Sequence, residues 1–279
     1  MRAVAGPGPG SRRGSGRWVW GLSGLVTAAV LGIPLAHLIT GVGDPQGAWP
    51  QNVVTRTETV PQPVTSLVVD SYGGQVQVTS GPVSRVQVTE TIMYDQHARL
   101  PAVMQSVSDG RLALSSRACA STGCSVDFRM TVPPGVTATV STGGGQVTVS
   151  GVAGANLDSG GGPARATLIS GPLTVVTDGG TLIARDIAAA TATVVTGGGD
   201  ATVAFSAAPK SVKLSTDGGT AVLGVPGGPY AVTADSGGGP ESLAIATDPA
   251  ARPTLTVSSG GGPLRIEPAA RLWRPGLSA

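Results

Sequence analysis

The sequence predicts an all-β protein, in which one transmembrane helix precedes a glycine-turned β-solenoid, or β-helix-like repeat domain, with an N-terminal β-cap. Three observations carry this prediction. Gly-Gly pairs recur between segments in which apolar and polar residues alternate. Charged residues make up only 12% and aromatic residues 3% of the chain, which indicates a thin aliphatic core. One long apolar segment near the N-terminus carries no charged side chain.

Each copy of the repeat is aligned on the last glycine of its glycine run. These turn glycines are Gly74, Gly145, Gly162, Gly180, Gly199, Gly219, Gly239 and Gly262. After the first, their spacings are 17, 18, 19, 20, 20 and 23 residues. The positions seven and five residues before this glycine and four residues after it are apolar in every copy. The position six residues before it is almost always polar, so each copy is predicted to be strand, turn, strand with one buried face.

Two further columns of the repeat are informative. The position two residues after the turn glycine is mostly apolar, with Glu241 as the exception. The position three residues before it always carries a small hydroxyl, at Ser71, Thr142, Ser159, Thr177, Thr196, Thr216, Ser236 and Ser259. We expect these hydroxyls to bond either to one another or to the turn backbone. We expect the glycines to supply positive φ where a Cβ would clash.

Repeats of this length and pattern favour a β-solenoid, because like residues stack on like when copies lie in register. The alternative is an antiparallel β-sandwich meander, since Gly-Gly and Asp-Gly also favour hairpins. Residues 82–135 interrupt the repeats, and their strand-like segments are predicted to cap the open end of the array.

The apolar segment at residues 18–42 predicts a membrane helix. As a helix it would span about 37 Å, enough to cross a hydrocarbon core of about 30 Å. The arginines Arg2, Arg12, Arg13 and Arg17 precede it, which predicts a cytoplasmic N-terminus and an extracellular C-terminal domain. A cleaved signal peptide or a twin-arginine signal is the alternative.

The predicted organisation is therefore that of a single-pass protein of the cell membrane. Its segments are a basic cytoplasmic tail at 1–17, the helix at 18–42, a proline-rich stalk at 43–62, the first repeat with the β-cap at 63–135, the repeat array at 136–268 and a disordered tail at 269–279.

The only two cysteines, Cys119 and Cys124, lie close together in the predicted cap. In an exported domain such a pair most often forms a disulfide. A metal site would need more ligands, and none lie nearby in the sequence. A redox role for free thiols is the other alternative.

Composition and motifs argue against several function classes. Without the four N-terminal arginines, 14 basic residues face 16 acidic ones, so the domain offers no basic surface for nucleic acid. His97 is the only histidine beyond the membrane segment, which leaves no Ser-His-acid arrangement on the repeats. The glycine runs lack the lysine of a phosphate loop and the regular aspartates of a calcium-binding repeat. No catalytic, metal or cofactor site is predicted.

The pattern resembles a bacterial "putative adhesin" family, a membrane-anchored β-strand-repeat domain of unknown function. The resemblance covers about residues 64–267. It rests on units such as Ser141–Val149 (STGGGQVTV), on Asp109–Leu112, on the cysteine pair and on Val132–Gly135. It implies a surface domain without enzyme activity.

Together these observations predict a non-enzymatic binding or scaffold protein tethered to the bacterial membrane, with an unknown surface protein or glycan as partner. An alternative is an accessory subunit of an envelope-stress sensor or transporter, whose small residues in the membrane segment pack on a partner helix. A more distant alternative is a polysaccharide-active β-helix enzyme, by analogy of fold alone.

Overall fold

The structure is a computed structural model that describes residues 51–116, 119 and 124–272. This part is almost entirely β-structure in two mixed sheets. The predicted cytoplasmic tail and the predicted membrane helix at 18–42 lie outside the described residues. Among the described residues, no helix is both long and apolar enough to cross a membrane.

The described chain contains 21 strands and one short helix. In chain order these are β1 (Gln51–Thr59), β2 (Ser66–Ser71), β3 (Val76–Ser80), β4 (Gln87–Asp95), β5 (Met104–Ser108), β6 (Arg111–Ser115), β7 (Ser125–Val132), β8 (Thr137–Thr142), β9 (Val147–Ser150), β10 (Gly154–Ser159), β11 (Ala164–Thr167), β12 (Leu173–Thr177), β13 (Leu182–Ile187), β14 (Thr191–Thr196), β15 (Ala201–Phe205), β16 (Ser211–Thr216), β17 (Ala221–Val225), β18 (Ala231–Asp235), β19 (Glu241–Leu243), β20 (Thr254–Ser258), β21 (Leu264–Pro268) and α1 (Ala269–Leu272).

Successive strands of the repeats alternate between the two sheets. Sheet one has eleven strands in the order β1-β4-β7-β3-β9-β11-β13-β15-β17-β21-β19. Sheet two has ten, in the order β18-β20-β16-β14-β12-β10-β8-β2-β6-β5. Each copy of the repeat therefore contributes its first strand to sheet two and its second strand to sheet one.

Neighbouring copies pair in parallel with equivalent positions aligned. In sheet two, Val140 lies opposite Leu157, Leu157 opposite Val175, and Val175 opposite Val194. These are the residues five positions before each turn glycine, so the predicted column is present as a continuous row. Parallel pairing also excludes the antiparallel meander, in which neighbouring copies would run in opposite directions.

The core consists of the alternate side chains of both sheets. Val140, Val175 and Val194 are fully buried, and they belong to one cluster with the equivalent residues of sheet one. Most of its members are Val, Leu, Ile and Ala, with Phe128, Phe205 and Tyr230 as its buried rings. This agrees with the thin aliphatic core expected from composition.

At one end, strands of the interrupting segment continue the repeat. β6 and β7 pair in parallel with β2 and β3 of the first copy. Leu112 and Leu114 align with Leu67 and Val69 of that copy. The predicted cap thus contains an additional repeat-like unit, and only β1, β4 and β5 pair antiparallel beyond it.

Residues 51–59, which the sequence assigns to the stalk, form the edge strand β1. It pairs antiparallel with β4 along its whole length, from Gln51 opposite Asp95 to Thr59 opposite Gln87. The segment alternates Val and Thr with polar residues, a composition that favours strands, whereas the assignment to a stalk rested on the flanking prolines.

At the other end, the spatial order of the copies differs from their order in the chain. The last copy, β20 and β21, lies between the sixth copy and the seventh. The seventh copy, β18 and β19, therefore forms the edge of both sheets. The sequence pattern favours stacking in chain order, and this exchange of the last two copies departs from it.

The chain turns back onto the outer face of sheet one after β21. Residues Ala269–Leu272, which the sequence assigns to a disordered tail, form the single helical turn α1. A Cβ placed on Gly224 of β17 would lie 2.4 Å from Leu272 Cδ1, so α1 packs where the strand has no side chain. Ala204, the buried outward residue of β15, is similarly small.

Candidate functional site

The outer face of sheet two is a regular surface of the described residues, here named the threonine face. It is formed by the outward side chains of β8, β10, β12, β14, β16 and β20. One column consists of Thr139, Asn156, Thr174, Thr193, Lys213 and Thr256. The next consists of Ser141, Asp158, Val176, Val195, Ser215 and Ser258.

The centre of the threonine face carries methyl and hydroxyl groups without charge. Val176 and Val195 lie opposite each other on β12 and β14, and each is 37% exposed. Thr174 and Thr193 form the pair beside them. Asp158 on β10 and Lys213 on β16 are the charged residues that flank this centre. With strands about 4.8 Å apart, the result is a flat and regular surface of mixed polarity.

The outer face of sheet one has a different chemistry. A shallow cleft of about 90 Å³ near its antiparallel end is lined by Gln75, Gln77, Thr89, Thr91, Asp127, Phe128 and Arg129. There Arg129 Nε donates to Gln77 Oε1 at 3.3 Å, and Asp127 Oδ1 accepts the Gln75 amide at 2.7 Å. The charged groups thus hold neighbouring strands together, which leaves a small polar cleft rather than an enclosed pocket.

The carboxylates of Asp95 and Asp200 accept hydrogen bonds from backbone amides. The backbone amide of His97 donates to Asp95 Oδ1 at 2.7 Å, and the imidazole lies beside the Gln96 amide. Asp200 Oδ1 accepts the Thr220 amide of the next copy at 2.7 Å. In the part of the chain that the structure describes, no three His, Cys, Asp or Glu side chains are grouped closely enough to hold a metal ion.

The turn glycines stack from copy to copy. A Cβ on Gly145 would lie 1.9 Å from the Gly74 carbonyl oxygen, and one on Gly180 would lie 2.0 Å from the Gly162 carbonyl oxygen. The expected positive φ occurs elsewhere: it is found at preceding glycines such as Gly198 and Gly218. Close approach of neighbouring backbones, and not φ, is therefore what excludes a side chain at the last glycine.

The hydroxyls of the column were expected to bond either to one another or to the turn backbone. The structure shows mainly the second arrangement. In seven of the eight copies the hydroxyl donates to the carbonyl of the last glycine in its own turn. Thr177 Oγ1, for example, is buried and lies 2.8 Å from the Gly180 oxygen. The exception is Ser71, which donates to the Val126 carbonyl at 3.2 Å. Each buried hydroxyl thus satisfies a carbonyl that the tight turn removes from the ladder.

The cysteine pair replaces the glycine turn in the unit formed by β6 and β7. Cys119 and Cys124 form the predicted disulfide, with their Cα atoms 4.8 Å apart. Both side chains are buried against the end of the core. The disulfide closes the segment between β6 and β7, as the glycine run closes the turn between β2 and β3.

Ser116 is a further member of the hydroxyl column that was not predicted from the sequence. It follows β6, is buried, and its hydroxyl lies 3.4 Å from that of Ser71. The signal was present in Leu112, Leu114 and Ser116, which match the spacing of Leu67, Val69 and Ser71. It was missed because the alignment was anchored on glycine pairs, and no such pair follows Ser116.

Comparison with protein-family models and with curated proteins finds no match. Among solved structures, the fold is similar to that of a "putative adhesin" from Bacteroides fragilis, with 14% identity over 77% of this chain and 97% of that one and a TM-score of 0.48. A "putative adhesin" from Parabacteroides distasonis has 14% identity over 77% and 97%, with a TM-score of 0.43. A "putative lipid binding protein" from the same species has 12% identity over 76% and 96%, with a TM-score of 0.34. At such low identity and TM-score, these likenesses say nothing about what this chain binds.

Proposed function

We propose that this chain is a non-enzymatic binding protein of the bacterial surface, in which a membrane helix at residues 18–42 tethers an extracellular β-solenoid. The parallel registers of successive copies and the alternation of their strands between two sheets support the solenoid. The disulfide between Cys119 and Cys124 supports an extracytoplasmic domain, because disulfides persist mainly in oxidising compartments.

The single observation that carries the binding function is the threonine face. It presents straight columns of Thr, Ser and Val from six adjacent parallel strands, with Val176 and Val195 exposed at its centre. A surface of this kind desolvates at low cost because its centre carries no charge. Exposed apolar groups within a polar rim are typical of interaction surfaces.

The chemistry of the threonine face favours a protein partner over a glycan. Aromatic side chains offer flat apolar faces for contact with a ligand, and the columns of this surface contain none. Its methyl groups and hydroxyls instead suit a flat polypeptide surface with apolar and hydrogen-bonding groups of its own. We therefore infer that the partner is another protein of the cell envelope.

The experiment compares the full chain, in lipid nanodiscs, with a variant that carries charge on the threonine face. Labelled wild-type protein should bind cells of the source bacterium that lack the endogenous protein. The double variant Val176→Lys with Val195→Lys should bind at least about tenfold more weakly, since burying the two ammonium groups would together cost more than about 1.4 kcal/mol. Binding is measured by flow cytometry over a concentration series.

The matched control is the double variant Thr202→Lys with Val222→Lys, which places the same two charges opposite each other on the outer face of sheet one. It should bind as the wild type does. Equal binding by the Val176→Lys with Val195→Lys variant and the wild type, with both folded, would show that the threonine face is not the binding surface. Failure of an antibody against the domain to label intact cells that display the protein would contradict its extracellular placement.

A further inference from the structure

The seventh copy leaves an incomplete edge at one end of both sheets. Among the described strands, β18 has only β20 beside it, and β19 has only β21. The core-facing residues of this copy are also less covered than their equivalents elsewhere. Val232 and Ala234 are partly buried and Leu243 is 42% exposed, whereas Leu255 and Val257 in the adjacent copy are buried. An uncovered edge of this kind can accept another strand.

The hydrogen bonds of β18 show which of its backbone groups face the open side. Ala231 donates its amide to the Pro253 carbonyl, and the Asp235 carbonyl accepts the Ser259 amide. The backbone groups of the odd-numbered residues of β18 therefore hydrogen-bond to β20, because alternate residues of a parallel strand hydrogen-bond to opposite neighbours. The amides and carbonyls of Val232 and Ala234 point to the other side, where β18 has no neighbouring strand in the described part of the chain.

The chain itself places a short extended segment on this edge. Tyr230 forms a parallel bridge with Thr247: its amide donates to the Ala246 carbonyl at 3.2 Å, and its carbonyl accepts the Asp248 amide at 2.9 Å. The chain then turns away, because the Ala250 amide donates to Asp248 Oδ1 at 2.8 Å and the Ala251 amide donates to the Asp248 carbonyl at 3.0 Å, so the pairing stops there. This segment pairs with Tyr230 alone. It does not pair with Val232 and Ala234, the next two residues whose backbone groups face the open side of β18.

The charges around the edge are mainly acidic. In the seventh copy and the loop after it, Asp235, Glu241 and Asp248 carry negative charge, against one cation, Arg252. A second copy of the same end would bring like charges together, which opposes self-association. A basic partner strand would instead be attracted.

We propose that β18 is a docking site for an extended peptide segment of a partner protein, with alternating apolar residues flanked by basic ones. The segment continues the ladder that Ala246–Asp248 begins and pairs in parallel with Val232 and Ala234. Its apolar side chains cover Val232, Ala234 and Leu243 at the exposed end of the core. Main-chain hydrogen bonds supply affinity, and the carboxylates select a basic segment.

The docking site on β18 is a second surface, separate from the threonine face. It rests on the proposed function only in taking the partner to be a protein.

The test uses the full chain in nanodiscs and the synthetic peptide Lys-Val-Thr-Val-Thr-Val-Lys as probe. The peptide should slow hydrogen exchange of the Val232 and Ala234 amides at least about tenfold, with no change in β1 at the opposite end. The acidic analogue Glu-Val-Thr-Val-Thr-Val-Glu should bind at least about tenfold more weakly.

The decisive variant is Ala234→Pro. Its amide points away from β20, so proline removes an outward donor without removing a bond of the β18–β20 ladder. It should weaken peptide binding about tenfold while the melting temperature stays near that of the wild type. The control Ala234→Ser keeps the amide and should bind as the wild type does. If Ala234→Pro alters the fold, the Val232→Pro variant gives the same comparison at the next outward amide.

Three outcomes overturn the proposal: protection that appears on β1 or nowhere, unchanged affinity of Ala234→Pro, or concentration-dependent protection of Val232 and Ala234 without peptide. The last would identify a second copy of the chain as the occupant. The double variant Val176→Lys with Val195→Lys should still bind the peptide, so failure at this edge is distinguishable from failure at the threonine face.

Discussion

Glu90 of β4 and Glu241 of β19 occupy the same register column of sheet one, near its two opposite ends. Between them, every residue of the column is apolar and no more than 1% exposed. These residues are Phe128, Val76, Val147, Ala164, Leu182, Ala201, Ala221 and Leu264. A carboxyl group therefore ends this apolar column on both sides. At the Glu90 end a further strand does pair, since Arg56 of β1 lies opposite Glu90, whereas β19 is the last described strand of sheet one at the Glu241 end. At such an edge, a charged residue at a core-facing position is one way in which natural sheets prevent further strands from adding.

Replacement of Glu241 by leucine should promote self-association through the end of the array that the seventh copy forms. Glu241 lies opposite Leu264, so Glu241→Leu extends the apolar column to the last strand of sheet one. The exposed end of the core then lacks the charge that opposes stacking against a second molecule. We expect dimers or larger oligomers at concentrations where the wild type shows a smaller mass, measured by light scattering after size-exclusion chromatography.

The matched control for this prediction is Ser242→Leu. Ser242 is the next residue of β19 and lies opposite Arg265, an outward residue of β21. It adds the same apolar side chain to the same strand on the outer face, so association should stay close to that of the wild type. Equal masses for Glu241→Leu and the wild type would show that the glutamate does not limit association.

Glu90 should make the stability of the domain depend on pH. Burial raises the pKa of Glu90 above its ordinary value of 4.5, the Glu58 carboxylate raises it further, and Arg56 acts in the opposite direction. The folded state therefore holds the proton more tightly than the unfolded chain does. The free energy of unfolding should fall as pH rises from about 4.5 through the raised pKa, and should change no further above it.

The variant Glu90→Gln removes this dependence. It should gain stability relative to the wild type as pH rises from about 4 to about 7, as measured by urea unfolding at several pH values. Glu58→Gln removes one cause of the raised pKa, so it should show a smaller pH dependence than the wild type. Parallel pH profiles for the wild type and Glu90→Gln would contradict the assignment.

The sequence predicts the internal columns of this fold well and its ends poorly, for one physical reason. Alternation in segments such as Ala192–Val194 shows which side chains are buried, and the turn glycines show where each copy bends. Every copy carries the same columns, however, so any stacking order aligns Val with Val. The exchange of the last two copies therefore leaves no trace in those columns. Glu241, together with Ala234 where the other copies carry Val or Leu, marked the seventh copy as different.

The candidate binding surfaces were predictable to a similar degree. Outward positions such as Thr174 and Thr193 follow from alternation once the buried columns are known. The edge at Val232 and Ala234 could not be predicted, because it depends on which copy lies last in space. The repeat-like unit at Leu112 and Leu114 was missed for a different reason, since a disulfide replaces its glycine turn.

Removal of one hydroxyl of the buried column should destabilise the domain. In Thr177→Val the side chain keeps its shape, but the Gly180 carbonyl loses its donor in a buried turn. An unsatisfied buried acceptor costs about 1–3 kcal/mol, so the free energy of unfolding should fall by that amount in urea titrations. Thr177→Ser keeps the donor and should lose less. A Thr177→Val protein as stable as the wild type would show that the hydrogen bond contributes little.

Alanine should be tolerated at one glycine of a turn and excluded at the next. In the turn after β12, a Cβ on Gly179 would have no heavy atom within 4 Å among those described, whereas one on Gly180 would lie 2.0 Å from the Gly162 carbonyl oxygen. That oxygen belongs to the backbone of the adjacent copy and cannot move without separating the two copies. We expect Gly180→Ala to lower the free energy of unfolding by about 3 kcal/mol or more, and Gly179→Ala to change it by less than about 0.5 kcal/mol. Both substitutions add the same methyl group one residue apart, so the difference between them measures the packing of neighbouring copies alone. Equal effects of the two in urea unfolding would mean that the backbones are farther apart at this corner than the structure shows.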